Sequence, residues 1–179
     1  MADNKQIAVL NLGSQRLGGA IFRRAGGNLV LQKYEFVELT GDPTVDVSRL
    51  PQLKVAIEEL AEKLNLAKGA VWYAVAGHTV FTRFVKLPPV QGDKMEQIVE
   101  FEARQNVPFP IDEVTWDYEV VGDNLGETEV VLVAMKGDSL NEINEQIEAN
   151  KLKTSGVDLA PIALFNAFKY SYPDVTESV

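Results

Sequence analysis

The residues best suited to chemistry sit in one turn. Val9 to Phe22 reads VLNLGSQRLGGAIF: an apolar strand runs into Asn11-Leu12-Gly13-Ser14-Gln15, turns, and resumes as a second strand. A turn of this kind can present backbone N–H groups to a polyphosphate. Gly13 permits close approach, while Ser14 and Gln15 add side-chain donors. The same residues also suit a plain hairpin, because glycine is the default turn residue. Residue types alone leave both readings open. The turn is not a Walker loop, since no Gly-Lys-Ser/Thr follows it. Gly18-Gly19 reads as room for close strand packing.

Elsewhere the chemistry-bearing residues favour structural roles. His78 is the single histidine and cysteine is absent, so neither a His-based metal cluster nor a thiolate nucleophile is available. His78 is expected at a strand end. Glu100 and Glu102 stand two apart on a predicted helix, point to different sides, and read as a solvated face rather than an acid/base pair. Asp112 and Glu113 follow Pro110 and read as turn residues. No catalytic residue and no metal ligand is assigned. The aromatics Phe101, Phe109, Trp116 and Tyr118 flank one Pro-rich bend. They read mostly as core, and the cluster would also suit a peptide-binding groove.

With 17 Lys and Arg against 26 Asp and Glu the net charge is −9, which opposes approach to a nucleic-acid backbone. The opening MADNKQIAVLNLG lacks the basic-then-apolar pattern of a signal peptide. The longest nearly unbroken apolar run, Gly69 to Gly77, is about half of what a spanning helix needs. A membrane role is therefore expected to go through a partner or through sequence beyond these residues, in a reducing cytoplasm that the lack of cysteine fits.

The elements that must position the turn follow from periodicity. Lys5–Asn11, Leu17–Arg24 and the run LVLQKYEFVEL read as three antiparallel strands, with Ala25–Asn28 as the second turn. Leu53, Ala56, Ile57, Leu60 and Leu64 form one stripe of a helix over Leu50–Leu64, with Ser48 as cap and Pro51 in its first turn. Gly69–Gly77 reads as a strand buried on both faces. His78–Pro89 reads as a strand, and Asp93 opens a helix to Asn106 with capping-box spacing. A hairpin over Val114–Val121 and Thr128–Met135 follows, then a helix capped by Ser139 and Glu142. A strand over Thr154–Leu159 and a final helix opened by Pro161, with Leu164, Phe165 and Phe168 on one face, complete the chain. The order is α/β with a self-contained α+β unit in its middle.

Ile98 to Gly122, IVEFEARQNVPFPIDEVTWDYEVVG, resembles a segment of the type IV pilus assembly protein PilM family. The matching pattern is Glu102-Ala103, Pro108-Phe109, the acidic Pro-rich turn Pro110-Ile111-Asp112-Glu113, and Asp117-Tyr118. The stretch from Glu129 to Phe168 continues the resemblance. It implies an FtsA-like member of the actin-like ATPase superfamily. The implied fold is an actin-like (ribonuclease H-like) subdomain, residues 1–78 with 154–179, carrying an inserted strand-helix-strand-strand subdomain over 79–153. It also implies that Asn11, Leu12, Gly13 and Ser14 correspond to the family's first phosphate loop, with Gln15 beside them, so that ATP and magnesium are possible cofactors. Asn11 stands where the family carries an acidic residue, and brings no charge to a divalent ion. The family runs to roughly twice this length, so half of a nucleotide cleft is expected here.

The function the resemblance implies is a cytoplasmic platform protein of pilus assembly, peripheral to the inner membrane. Its partners would be the N-terminal cytoplasmic peptide of a membrane-anchored, PilN-like pilus protein, which in the family lies in a groove between the subdomain and its insert, and motor or platform components. Neither nucleic acid nor direct membrane insertion is expected. The alternative is an FtsA-like actin-like ATPase or polymerising cell-division protein. Such proteins use a C-terminal amphipathic helix, which YSYPDVTESV is too polar and short to supply.

Overall fold

The computed structural model describes residues 6–40, 49–66, 68–88, 94–124 and 127–175. Expected caps Ser48 and Asp93 and the strand start at Lys5 lie outside the described residues. The chain divides into two compact units, Met1–Ala76 with Glu142–Val179, and Gly77–Asn141.

The first unit is built on β1 (Gln6–Leu12), β2 (Arg16–Ala25), β3 (Asn28–Glu38), β4 (Gly69–Val75) and β8 (Leu152–Leu159), in the order β3-β2-β1-β4-β8. β1, β2 and β3 run antiparallel through hairpins, whereas β1–β4 and β4–β8 are parallel. A parallel neighbour needs a crossover, and α1 (Arg49–Leu64) lies in the chain between β3 and β4. Strand side chains alternate between faces, so the register sorts the sheet into two sides. Leu17, Leu12 and Val75 form one row, Gly19, Leu10 and Tyr73 the next, and Ile21, Ala8 and Val71 the third. All nine sit within the buried stretches of their strands. α1 meets this face with Leu53, Ala56, Ile57, Leu60 and Leu64, all buried. Asn65 ends α1 in the left-handed region, with Asn65 N–H bonding Glu62 O and Leu66 N–H bonding Ala61 O, a Schellman arrangement.

α3 (Gly137–Ala149) crosses the division between the units: its later residues belong to the first. Ile147 is fully buried, and Asn144 Oδ1 accepts hydrogen bonds from Tyr73 Oη at 3.0 Å and Thr154 Oγ1 at 2.7 Å. Asn150 also donates to Lys54 O at 3.4 Å. These bonds tie the later part of α3 to the first unit. α3 begins in Gly137, two residues before the expected cap Ser139.

In the second unit the expected strand-helix-strand-strand order is the order found: β5 (Phe81–Leu87), α2 (Lys94–Asn106), β6 (Val114–Asn124) and β7 (Glu127–Lys136). Its antiparallel sheet runs β5-β7-β6. Leu87, Val130, Leu132 and Ala134 pack with Val99, Ala103 and Val107, and Met95 and Ile98 join at the edge, as helical spacing predicts. Glu100 and Arg104 pair on the outer face at 2.8 Å. Glu102 is not on a bare face: Asn106 Nδ2 donates to its carboxylate at 2.9 Å. His78 is exposed in a short 3-10 turn, Gly77–Thr79, and the strand begins only at Phe81.

Three packing expectations are corrected. β4 is buried on one face only, because Trp72 on the other side is 51% exposed. The glycine pair makes room for side chains rather than strands. A Cβ on Gly19 would stand 2.6 Å from Leu64 Cδ1, and one on Gly18 3.3 Å from Tyr34 Oη. The four aromatics do not form one stripe. Trp116 and Tyr118 alternate onto the α2 face of β6, whereas Phe101 and Phe109 are exposed, with Lys136 Nζ 4.8 Å over the Phe109 ring.

Candidate functional site

Gly13, Ser14 and Gln15 connect β1 to β2. Gly13 has a specific reason to be glycine: a Cβ there would stand 2.6 Å from Arg16 O, a backbone atom that cannot rotate away. The turn is clamped by its carbonyls. Arg49 Nη2 donates to Gly13 O at 3.0 Å and Nη1 donates to Ser14 O at 3.1 Å. Leu39 N–H donates to Gln15 O at 2.8 Å. Three successive carbonyls are thus engaged by donors beyond the turn, two of them by one guanidinium.

Asn11 lies apart from this cluster. It is the penultimate residue of β1, paired with Gly18 and Ala74, and exposed on the sheet face opposite α1. Sequence reasoning grouped Asn11 with Gly13, Ser14 and Gln15, and missed Arg49. A signal for Arg49 existed, since a cation in the first helical position opposes the helix dipole and needs a local anchor.

The face that carries Asn11 forms a groove of about 610 Å³ against α4 (Ala160–Ser171). Its floor includes Val9, Asn11, Ala20, Phe22, Trp72 and Ala74, and its wall Ala160, Ala163, Leu164 and Ala167. Trp72 is held across β8 at a bulge, where Thr154 pairs with Val71 and Gly156 with Trp72, leaving Ser155 over. A Cβ on Gly156 would meet Trp72 Cζ3 at 2.2 Å, so only a hydrogen leaves room for the ring. The apolar stripe of α4 is largely uncovered: Leu164 is 72% and Phe165 59% exposed. Tyr170 Oη receives the Leu29 N–H at 2.8 Å and ties α4 to β3. Burial pushes the Tyr73 phenol up to about 12.

The turn fits a phosphate group in its tight glycine and in the cation seated behind it. It offers little to hold a magnesium ion by itself. Asn11, Ser14 and Gln15 are neutral, and among the described residues Asp158 is the carboxylate lining the groove, with an oxygen already accepting the Leu159 N–H at 2.7 Å. Among the described residues no group of three or more His, Cys, Asp or Glu is arranged to bind a metal. A magnesium ion would arrive on the phosphates it accompanies. No helix among the described residues is long and apolar enough to cross a membrane.

Comparison with known proteins supports the fold. A family model described as type IV pilus assembly protein PilM matches residues 10–178. A solved PilM–PilN type IV pilus biogenesis complex is similar over 94% of this chain and 51% of the matched one, at 21% identity and a TM-score of 0.75. The cytoplasmic domain of EpsL, an inner-membrane component of the Vibrio cholerae type II secretion system, is similar over 86% of this chain and 57% of its own, at 11% identity and a TM-score of 0.54. The chain spans about half the length of these solved structures. The architecture is of the mixed α/β class that the sequence resemblance implied, and these solved structures share its fold.

Proposed function

This chain belongs to the type IV pilus assembly protein PilM family, and from that premise we propose that it is the cytoplasmic platform component that captures a membrane-anchored partner by its tail. The partner would be a PilN-like protein presenting a short N-terminal cytoplasmic peptide, which would hold this chain at the inner membrane. The observation that carries the reading is the likeness to the PilM–PilN complex over 94% of the chain. Motor or further platform components would join through the same assembly. Each unit has exposed apolar side chains of the kind that anchor a peptide, Trp72 and Leu164 in one and Phe101 and Phe109 in the other. Burying one Leu-sized peptide side chain contributes roughly 1.5–3 kcal/mol. A few such anchors offset the ordering cost of a short peptide and reach micromolar affinity. Titration of the chain with the partner's N-terminal peptide tests this: saturable binding at micromolar concentration is expected. No binding up to millimolar peptide would refute it.

The same proposal extends to the β1–β2 turn, in which Gly13, Ser14 and Gln15 would cradle phosphate groups of ATP while Asn11 faces the adjoining groove. The 2.6 Å approach of a Gly13 Cβ to Arg16 O and the Arg49 clamp support it. The turn would then supply part of a nucleotide site.

A further inference from the structure

We infer that Arg49 is the positioning residue of the β1–β2 turn: its guanidinium turns the backbone N–H groups of Ser14 and Gln15 toward a phosphate and supplies the cation that balances it. The inference rests on the phosphate-turn reading above.

The geometry is set by the planar trans peptide, in which the N–H points away from the C=O of the same unit. The Gly13 carbonyl shares its peptide with the Ser14 N–H, and the Ser14 carbonyl shares its peptide with the Gln15 N–H. Arg49 holds both carbonyls, at 3.0 and 3.1 Å. Both N–H groups are therefore directed away from the Arg49 guanidinium. Leu39 N–H fixes the next carbonyl, Gln15 O, so the orientation does not relax at the end of the turn. Two adjacent N–H groups aimed to one side make an anion-binding concavity.

Charge completes the argument. The chain is acidic at −9, so its net charge opposes the approach of an anion. The turn itself is Gly, Ser and Gln, and Arg49 brings a charged side chain against it. Its placement is the unfavourable end of α1 for a cation, and no acidic residue stands in the first turn of that helix to offset it. An arriving phosphate would bring a negative charge to this end of α1. A lysine substitutes only in part, because its ammonium keeps the charge without the planar fork that holds two carbonyls at once.

The test uses the 179-residue chain with inorganic pyrophosphate and with ATP, each with and without magnesium. The readouts are the dissociation constant and the amide NMR shifts of Ser14 and Gln15. Wild type is expected to show shifts centred on these two amides. R49Q is expected to bind about tenfold more weakly or worse, the factor carried by one charge-assisted hydrogen bond. R49K, which keeps the charge and loses the fork, is expected to fall between the two. Unchanged far-UV circular dichroism separates lost positioning from lost folding, and R49K serves if R49Q does not fold. Wild-type affinity in both variants, with the Ser14 and Gln15 shifts retained, overturns the inference and leaves the phosphate turn standing. No pyrophosphate or ATP response in the wild type overturns the turn and the inference together.

Discussion

Gly156 lies under the Trp72 ring, and adding one methyl group there has a calculable cost. The Gly156→Ala Cβ would stand 2.2 Å from Cζ3 and 2.6 Å from Cε3 of the ring, against an optimal carbon–carbon separation of about 3.5–4.0 Å. Both neighbours are fixed by parallel β4–β8 pairing, so the ring must swing off the strand into solvent. Trp72 is 51% exposed, so roughly half of a buried aromatic's area, about 100 Å², is lost. At about 25 cal/mol per Å² the loss is about 2.5 kcal/mol. Replacing a strand glycine by alanine returns about 0.5–1 kcal/mol of backbone entropy. The net destabilisation is then about 1.5–2 kcal/mol, read as a lower urea midpoint at an unchanged slope. A double-mutant cycle decides the cause. In a Trp72→Ala background, Gly156→Ala is expected to be neutral or to stabilise by about 0.5–1 kcal/mol. Equal destabilisation in both backgrounds would show that the ring is not what the glycine accommodates.

Two further outcomes follow from burial. Tyr73 has its phenol raised to about 12 by burial, so the folded state holds that proton more tightly than the unfolded chain. The stability it contributes is complete below about pH 10, the ordinary tyrosine value, and is lost as pH rises toward 12. Ultraviolet titration should find one tyrosine ionising after the rest, and Tyr73→Phe should remove that late step. Ala103 is fully buried among Leu87, Val99 and Leu132, so Ala103→Leu overpacks the second unit. A loss of about 1–3 kcal/mol is expected by denaturant unfolding, and a stable variant would reveal an unfilled space beside α2.

Most of the scaffold was legible because burial is periodic. The stripe Leu53, Ala56, Ile57, Leu60 and Leu64 gave α1, and Met95, Ile98, Val99 and Ala103 gave the inner face of α2. What periodicity does not carry is which of two faces is covered. Gly69–Val75 has the composition of a strand apolar on both sides, yet Trp72 is left half-exposed because α4 covers its side only in part. For the same reason Leu164 and Phe165 were expected on a packed face and lie open. Gly13 was expected to leave room for a phosphate, and the crowding that requires a glycine there comes from Arg16 O of the turn itself. Arg49 escaped notice because the carbonyls it holds lie 35 and 36 residues away in sequence, and its place against the helix dipole was the one local hint. Phe101 and Trp116 looked like companions, but strand alternation turned Trp116 inward while Phe101 falls on the outer side of α2.

The chain's two tryptophans are shared out one to each compact unit, Trp72 in the first and Trp116 in the second. Their surroundings are opposite in kind, an open groove floor for one and the flank of an apolar core for the other. Nature has thereby fitted each half with its own fluorophore. Replacing either indole with phenylalanine leaves a single emitter, and whichever half a ligand engages can then be watched by light without attaching a dye.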